Sequence, residues 1–117
     1  MKYAIMVYEP TSDFEKRTDP KHKDAYWGAY MAYSQALRDA GVAVKGGAAL
    51  EPPTLATTVR LRADQRTIHD GPFADTKEQL GGMFVIDVPT LDEALKWAAR
   101  CPAASTGCVE VRPIAMM

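Results

Sequence analysis

Between two strand-like runs lies HDGPFADTKEQLGG, His69 to Gly82, with one histidine, three acids, a lysine and three glycines. Asp70 is the first candidate for chemistry here. A carboxylate at the mouth of an apolar pocket serves as a general base or acid, and loops at strand ends commonly carry such groups. In that reading Asp70 moves the proton, with His69 or Tyr30 polarising the substrate. A plainer reading stands beside it. Asp70-Gly71-Pro72-Phe73 has the composition of a turn, and Asp75 with Glu78 three residues on is the spacing that caps one helical turn, ended by Gly81. Adjacent strand residues point to opposite faces, so His69 and Asp70 pair only if the strand has already ended.

A second candidate set is aromatic. Tyr26, Trp27, Tyr30 and Tyr33 fall within eight residues at helical spacing, which reads as core or as the wall of a small-molecule pocket. Tyr8 and Glu9, closing the first strand, are expected near the same place, and Phe73 would add an aromatic wall from the loop. Lys77 and Glu78 read as a solvated pair. His22 lies in the Lys-rich PKHKD, and two histidines without HxH or HExxH spacing predict no metal site. There is no G-x-G-x-x-G, P-loop or G-x-S-x-G, and GGAAL and LGG are too weak to read as phosphate binders, so no cofactor is expected.

At 117 residues the chain is expected to be one domain. An apolar share of 47% and a charged share of 25% are those of a soluble globular protein. The net charge of −1, without a basic stripe, argues against a nucleic-acid partner. The opening MKYAIMVY is too short an apolar run for a membrane span or an export signal, which makes the cytoplasm the expected compartment. Cys101 and Cys108 are then read as two thiols.

These residues are carried by a simple order of elements. Residues 2–9 read as a strand apolar on both faces, and 10–24 as a polar loop. A helix spans about 24–40, a strand 42–50, and a hairpin 59–62 and 66–69 around a tight turn. Residues 83–88 form another two-faced strand, Thr90 and Glu93 a capping box, and 109–113 the last strand. Strand, helix, strand, hairpin, strand, helix, strand predicts a ferredoxin-like α+β sandwich. Two helices cover one face of such a sheet. Exposing the second face would forfeit roughly 1.5–3 kcal/mol per large side chain, which predicts a homodimer packed sheet to sheet.

Together, MKYAIMVYEP, WGAYMAYSQALRDAGVAVKGGAAL, HDGPFADTKEQLGGMFVIDVPTLDEALKWAARCPAA and GCVEVRP closely resemble the YCII-related family, in its branch named for the DGPF motif. The resemblance covers nearly the whole chain and implies a dimeric α+β barrel. It also implies small-molecule chemistry: distant YciI-type relatives look like enzymes with a proposed histidine–aspartate pair, and one branch performs dehydrochlorination in aromatic catabolism. Genes of the DGPF branch often lie beside extracytoplasmic sigma factors, which implies a regulatory or accessory role. The YciI-type histidine sits on the first helix, whereas this chain has Tyr26, Trp27 and Tyr30 there and His22 only near its start.

The leading expectation is a small-molecule-binding or accessory regulatory homodimer. Its first alternative is a lyase- or isomerase-like enzyme that moves a proton on, or eliminates from, a small organic acid or aromatic ring. The second alternative is a structural or protein-interaction module.

Overall fold

Strand β1 (Lys2–Pro10) occupies the interior of a four-stranded sheet of order β2-β5-β1-β6, in which every neighbouring pair is antiparallel. Its partners are β5 (Glu78–Asp87) and β6 (Cys108–Pro113), and β2 (Ala43–Ala49) pairs the far side of β5. This is the strand order of a ferredoxin-like α+β sandwich. The computed structural model describes residues 1–116, and Met117 lies outside them.

Helices α2 (Lys23–Asp39) and α3 (Leu91–Ala99) pack on one face of the sheet. On that face β1 alternates Tyr3, Ile5, Val7 and Glu9. Across the ladder, Ile86 opposes Tyr3 and Phe84 opposes Ile5. Tyr33 and Leu37 of α2, Ala94 of α3 and Val88 complete the core. Ile5, Leu37 and Ile86 are fully buried, each contributing roughly 1.5–3 kcal/mol. The Thr90 hydroxyl accepts from the Glu93 amide at 3.2 Å, so α3 starts where the capping box places it.

The closed α+β barrel expected above is not what this chain forms. β2 and β6 are the outer strands of an open sheet, and β3 (Thr57–Arg62) with β4 (Gln65–Asp70) makes a separate two-stranded sheet. The physical reason is strand number, because a packed barrel interior takes about five to eight strands. The second face is also less apolar than β1 and β5 alone suggest. Ala4 opposes Arg112 and Met6 opposes Glu110, so β6 brings charge to it, and the β2 irregularity at Lys45–Gly47 brings Gly46 against the Val85 side chain.

Two local expectations are also corrected. The segment 10–24 is not all loop, since Thr11–Lys16 forms the short helix α1 and buries Phe14. Asp75 to Gly81 makes no helical turn, because β5 has begun at Glu78. Ala63 and Asp64 turn the β3–β4 hairpin with φ of 49° and 63°, the two-residue turn that suits strand twist. A 3-10 turn (Pro53–Leu55) precedes the hairpin, and the short helix α4 (Ala103–Thr106) precedes β6.

Candidate functional site

Continuing the buried alternation of β1 by one step places Glu9 where another apolar side chain would be expected. The residue is 1% exposed. Burying that charge without partners would cost several kcal/mol, and three side chains prevent it. The Tyr26 hydroxyl lies 2.8 Å from both oxygens, Tyr30 Oη donates to Oε2 at 3.2 Å, and Arg17 Nη2 donates to Oε1 at 3.2 Å.

The three partners come from two helices. Tyr26 and Tyr30 stand one helical turn apart on α2, so their hydroxyls reach the same carboxylate. Arg17 caps the C-terminus of α1, the helix that starts immediately after β1. It is held on every side. Nε donates to Tyr26 Oη at 2.9 Å, Nη1 to the Leu50 carbonyl and Nη2 also to the Gly81 carbonyl at 3.1 Å. The rings of Phe14, Trp27 and Tyr26 surround its guanidinium, with centroids at 4.7, 5.2 and 5.6 Å.

Gly81 makes the room. The β1–β5 register slips between Val7 and Tyr8, which face Gly82 and Leu80 and leave Gly81 as the bulged residue. A Cβ there would lie 2.7 Å from Glu9 Oε1 and 3.2 Å from Arg17 Nη2. The glycine is required by close approach and not by turn geometry.

Beside this cluster opens a cavity of about 670 Å³, within the range of small-ligand pockets. Glu9, Arg17, Tyr26 and Tyr30 line one end, Trp27, Met31 and Phe84 supply apolar wall, and Gly46 to Ala49 form the thin wall of β2. Burial, and then the Glu9 charge, raises the Tyr30 pKa far above the ordinary tyrosine value. Burial raises Tyr26 as well, with the Arg17 hydrogen bond pulling the other way. Both phenols therefore keep their protons at neutral pH and act as donors. A buried carboxylate that faces a cavity between fixed donors can accept a proton, while a phenol beside it stabilises a developing oxyanion.

Of the residues singled out in the sequence, the structure brings Tyr26, Trp27 and Tyr30 to the cavity. Tyr8 lies on the other face of the sheet, its hydroxyl 3.4 Å from Glu110 Oε1. His69 and Asp70 are exposed on β4, opposite Thr58 and Thr57 on the two faces of the hairpin, and neither lines this cavity. Gly71, at φ 112°, turns the chain out of β4, donating to the Ala56 carbonyl at 2.7 Å and accepting from the Thr58 hydroxyl at 2.8 Å. Phe73 is 79% exposed, with the Arg60 guanidinium 5.5 Å from its ring centroid. A histidine–aspartate contact does occur, between His22 Nδ1 and Asp19 Oδ2 at 2.6 Å, at the surface. His22 lines a smaller cavity of about 250 Å³, to which Glu9 also contributes.

Sequence reasoning set Glu9 beside the aromatic group without a role and passed over Arg17. A signal for Glu9 was present. An acid that continues the apolar set Tyr3, Ile5, Val7 is a buried charge and demands partners. Among the described residues no cluster of His, Cys, Asp and Glu could hold a metal, and no helix is long and apolar enough to cross a membrane.

The strand order and the helices on one face of the sheet define the class, a ferredoxin-like α+β sandwich. Within that class, the chain belongs to the YCII-related family, whose domain it matches over residues 1–117. It is 39% identical over 121 residues to a protein of Rhizobium meliloti (strain 1021) described as uncharacterized, covering 99% of this chain and 94% of that protein. A solved structure similar in fold is 5-chloro-2-hydroxyhydroquinone dehydrochlorinase (TftG) from Burkholderia phenoliruptrix AC1100, in complex with 2,5-dihydroxybenzoquinone. The TM-score is 0.55 at 15% identity, over 98% of this chain and 94% of that one, a likeness that concerns the fold.

Proposed function

We propose that this protein is an acid–base enzyme acting on a small hydroxylated aromatic ring, by elimination or isomerisation. The observation that carries this reading is the Glu9 carboxylate, buried at the end of an aromatic-walled cavity and held by Tyr26, Tyr30 and Arg17. Glu9 takes the proton from a ring hydroxyl or acidic ring carbon. The electron pair left behind moves into the ring and either expels an anionic leaving group from a neighbouring carbon or is reprotonated at a different carbon. Tyr30, which keeps its own proton, donates a hydrogen bond to the oxyanion as it forms. The dehydrochlorinase of similar fold acts on such a ring, and this supports the choice of substrate class. Asp70 and His69 belong, in this reading, to the projecting hairpin and not to the proton-transfer step.

The same reading takes the protein as a cytoplasmic homodimer. Its support is the hairpin, where Val59, Leu61 and Ile68 share one face at 61%, 62% and 59% exposure. A monomer rarely leaves such a patch in water. Cys101 and Cys108 as free thiols suit a reducing compartment.

The test is chloride release from chlorinated hydroxyhydroquinones, with binding of 2,5-dihydroxybenzoquinone (the relative's ligand) followed in parallel. Glu9→Gln should lower turnover at least about a hundredfold, and Tyr30→Phe about tenfold to a hundredfold with the fold intact. Turnover that survives both changes would overturn the assignment. Binding without turnover in wild type would leave a ligand-binding protein.

A further inference from the structure

One charge asymmetry of the cavity is not used by proton transfer. Its lining carries a single carboxylate, Glu9, against three cations, Arg17, Arg38 and Lys45. Arg17 is neutralised by Glu9. Among the described residues, neither Arg38 nor Lys45 is in an ion pair. Arg38 donates only to neutral groups, Ser34 Oγ at 2.8 Å and Gln35 Oε1 at 2.9 Å, while the neighbouring Asp39 carboxylate accepts from Gln35 Nε2 at 2.7 Å.

Register puts both cations at the end of the cavity away from Glu9. On α2, Arg38 follows Tyr30 by eight residues, about 12 Å along the axis. Trp27, Met31, Ser34 and Arg38 share one helical face, so Arg38 closes the line of side chains that walls the cavity. On the facing wall, Ala49 opposes Gly82 beside the Glu9 cluster and Val44 opposes Val85, about 10 Å further along β5. Lys45 is next to Val44. A ligand reaching from Glu9 to this end passes between Met31 and Phe84 and meets two cations.

We propose that the substrate is an aromatic carboxylate, its hydroxyl at Glu9 and Tyr30 and its acid group held by Arg38 and Lys45. A carboxylate para to the hydroxyl points away from Glu9 along this axis, toward the two cations. A carboxylate suits this end better than a phosphate. The C-terminus of α2, with its negative dipole end, and Asp39 lie close by, and both oppose a dianion more than a monoanion. The proposal rests on the reading of this cavity as the reaction site.

The test compares para-hydroxybenzoate with phenol, and with phenyl phosphate as the competing anion, by calorimetric titration. The variants are Arg38→Gln, Lys45→Gln and Tyr30→Phe, with circular dichroism as the check on folding. Wild type should bind para-hydroxybenzoate about tenfold or more tightly than phenol, and each cation variant should remove about three- to tenfold of that preference while phenol binding stays unchanged. Equal affinities in wild type, variants that weaken acid and phenol alike, tighter binding of phenyl phosphate, or no binding at all would each overturn it. The two readings fail separately. If phenol binding depends on Tyr30 but the acid has no advantage, the anion site is wrong and the reaction site stands. If the acid keeps its Arg38- and Lys45-dependent advantage while Tyr30→Phe changes nothing, the anion site stands and the reaction site fails.

Discussion

At the scale of single residues, the protein's most consequential feature is a carboxylate in a place that favours hydrocarbon. Glu9 is stabilised there because three donors from two helices converge on it; removing Arg17 leaves its charge uncompensated, and removing either phenol leaves it short of a hydrogen bond. Burial raises the pKa of Tyr26, Tyr30 and Tyr33 above the ordinary value of 10.0, and moves Cys101 from 9.0 to about 11. The sign of the linkage follows. Below the unfolded values these groups are neutral in both states and their contribution is complete. Above them the unfolded chain releases protons that the native state retains, so stability falls as pH rises. Urea midpoints should therefore hold up to about pH 9 and decline from there to about pH 11, beginning with Cys101 above its unfolded value of 9.0 and steepening as the tyrosines join. The decline should be shallower in Tyr30→Phe. A midpoint that stays flat over this interval would contradict the burial of these groups.

At the scale of elements, the site depends on a bulge. β5 reaches the Glu9 cluster with a residue that has no side chain, and the Gly81 carbonyl that the bulge turns toward α1 accepts from both Arg17 and the Leu50 amide. Gly81→Ala should cost about 1–3 kcal/mol in chemical denaturation, since its Cβ would lie 2.7 Å from Glu9 Oε1 and 3.1 Å from the Phe14 ring and force both to shift. It should also weaken ligand binding in the cavity more than its stability cost explains. A variant as stable as wild type with unchanged binding would show that the bulge only connects. The elements that positioned these residues were legible where the signal is local. The two-faced alternation of β1 and β5, the aromatic spacing of α2 and the Thr90–Glu93 cap each declare themselves within one segment. α1 was not legible, because six residues are too few to show a helical period, and its buried Asp13 and Phe14 depend on neighbours that come later in the chain.

At the scale of the whole molecule, the outline of 47 × 44 × 21 Å is flat, and the β3–β4 sheet stands apart from the four-stranded one. Every residue of β4 is exposed, and among the described residues nothing covers the apolar side of the hairpin. If a second copy supplies that cover, Ile68→Glu should shift sedimentation equilibrium toward monomer by tenfold or more in dissociation constant, at about 1.4 kcal/mol per tenfold, with little change in far-ultraviolet dichroism. A wild type that sediments as a monomer at high concentration would remove the homodimer from the functional reading.

What the chain determined by itself is whatever a short window can encode: which segments are strands, where the two longer helices begin, and an order of elements that leads to a ferredoxin-like sandwich. Periodicity and capping act over a few residues, and they can be read without knowing what lies opposite. Tertiary structure alone decided that the sheet stays open, that Asp70 stands exposed at the end of the hairpin and away from the cavity, and that Glu9, Arg17, Tyr26, Tyr30 and Gly81 meet. Those five residues span β1, α1, α2 and β5, and only a register slip of one residue creates the space they share. A buried charge requires partners, but where they come from is a property of packing.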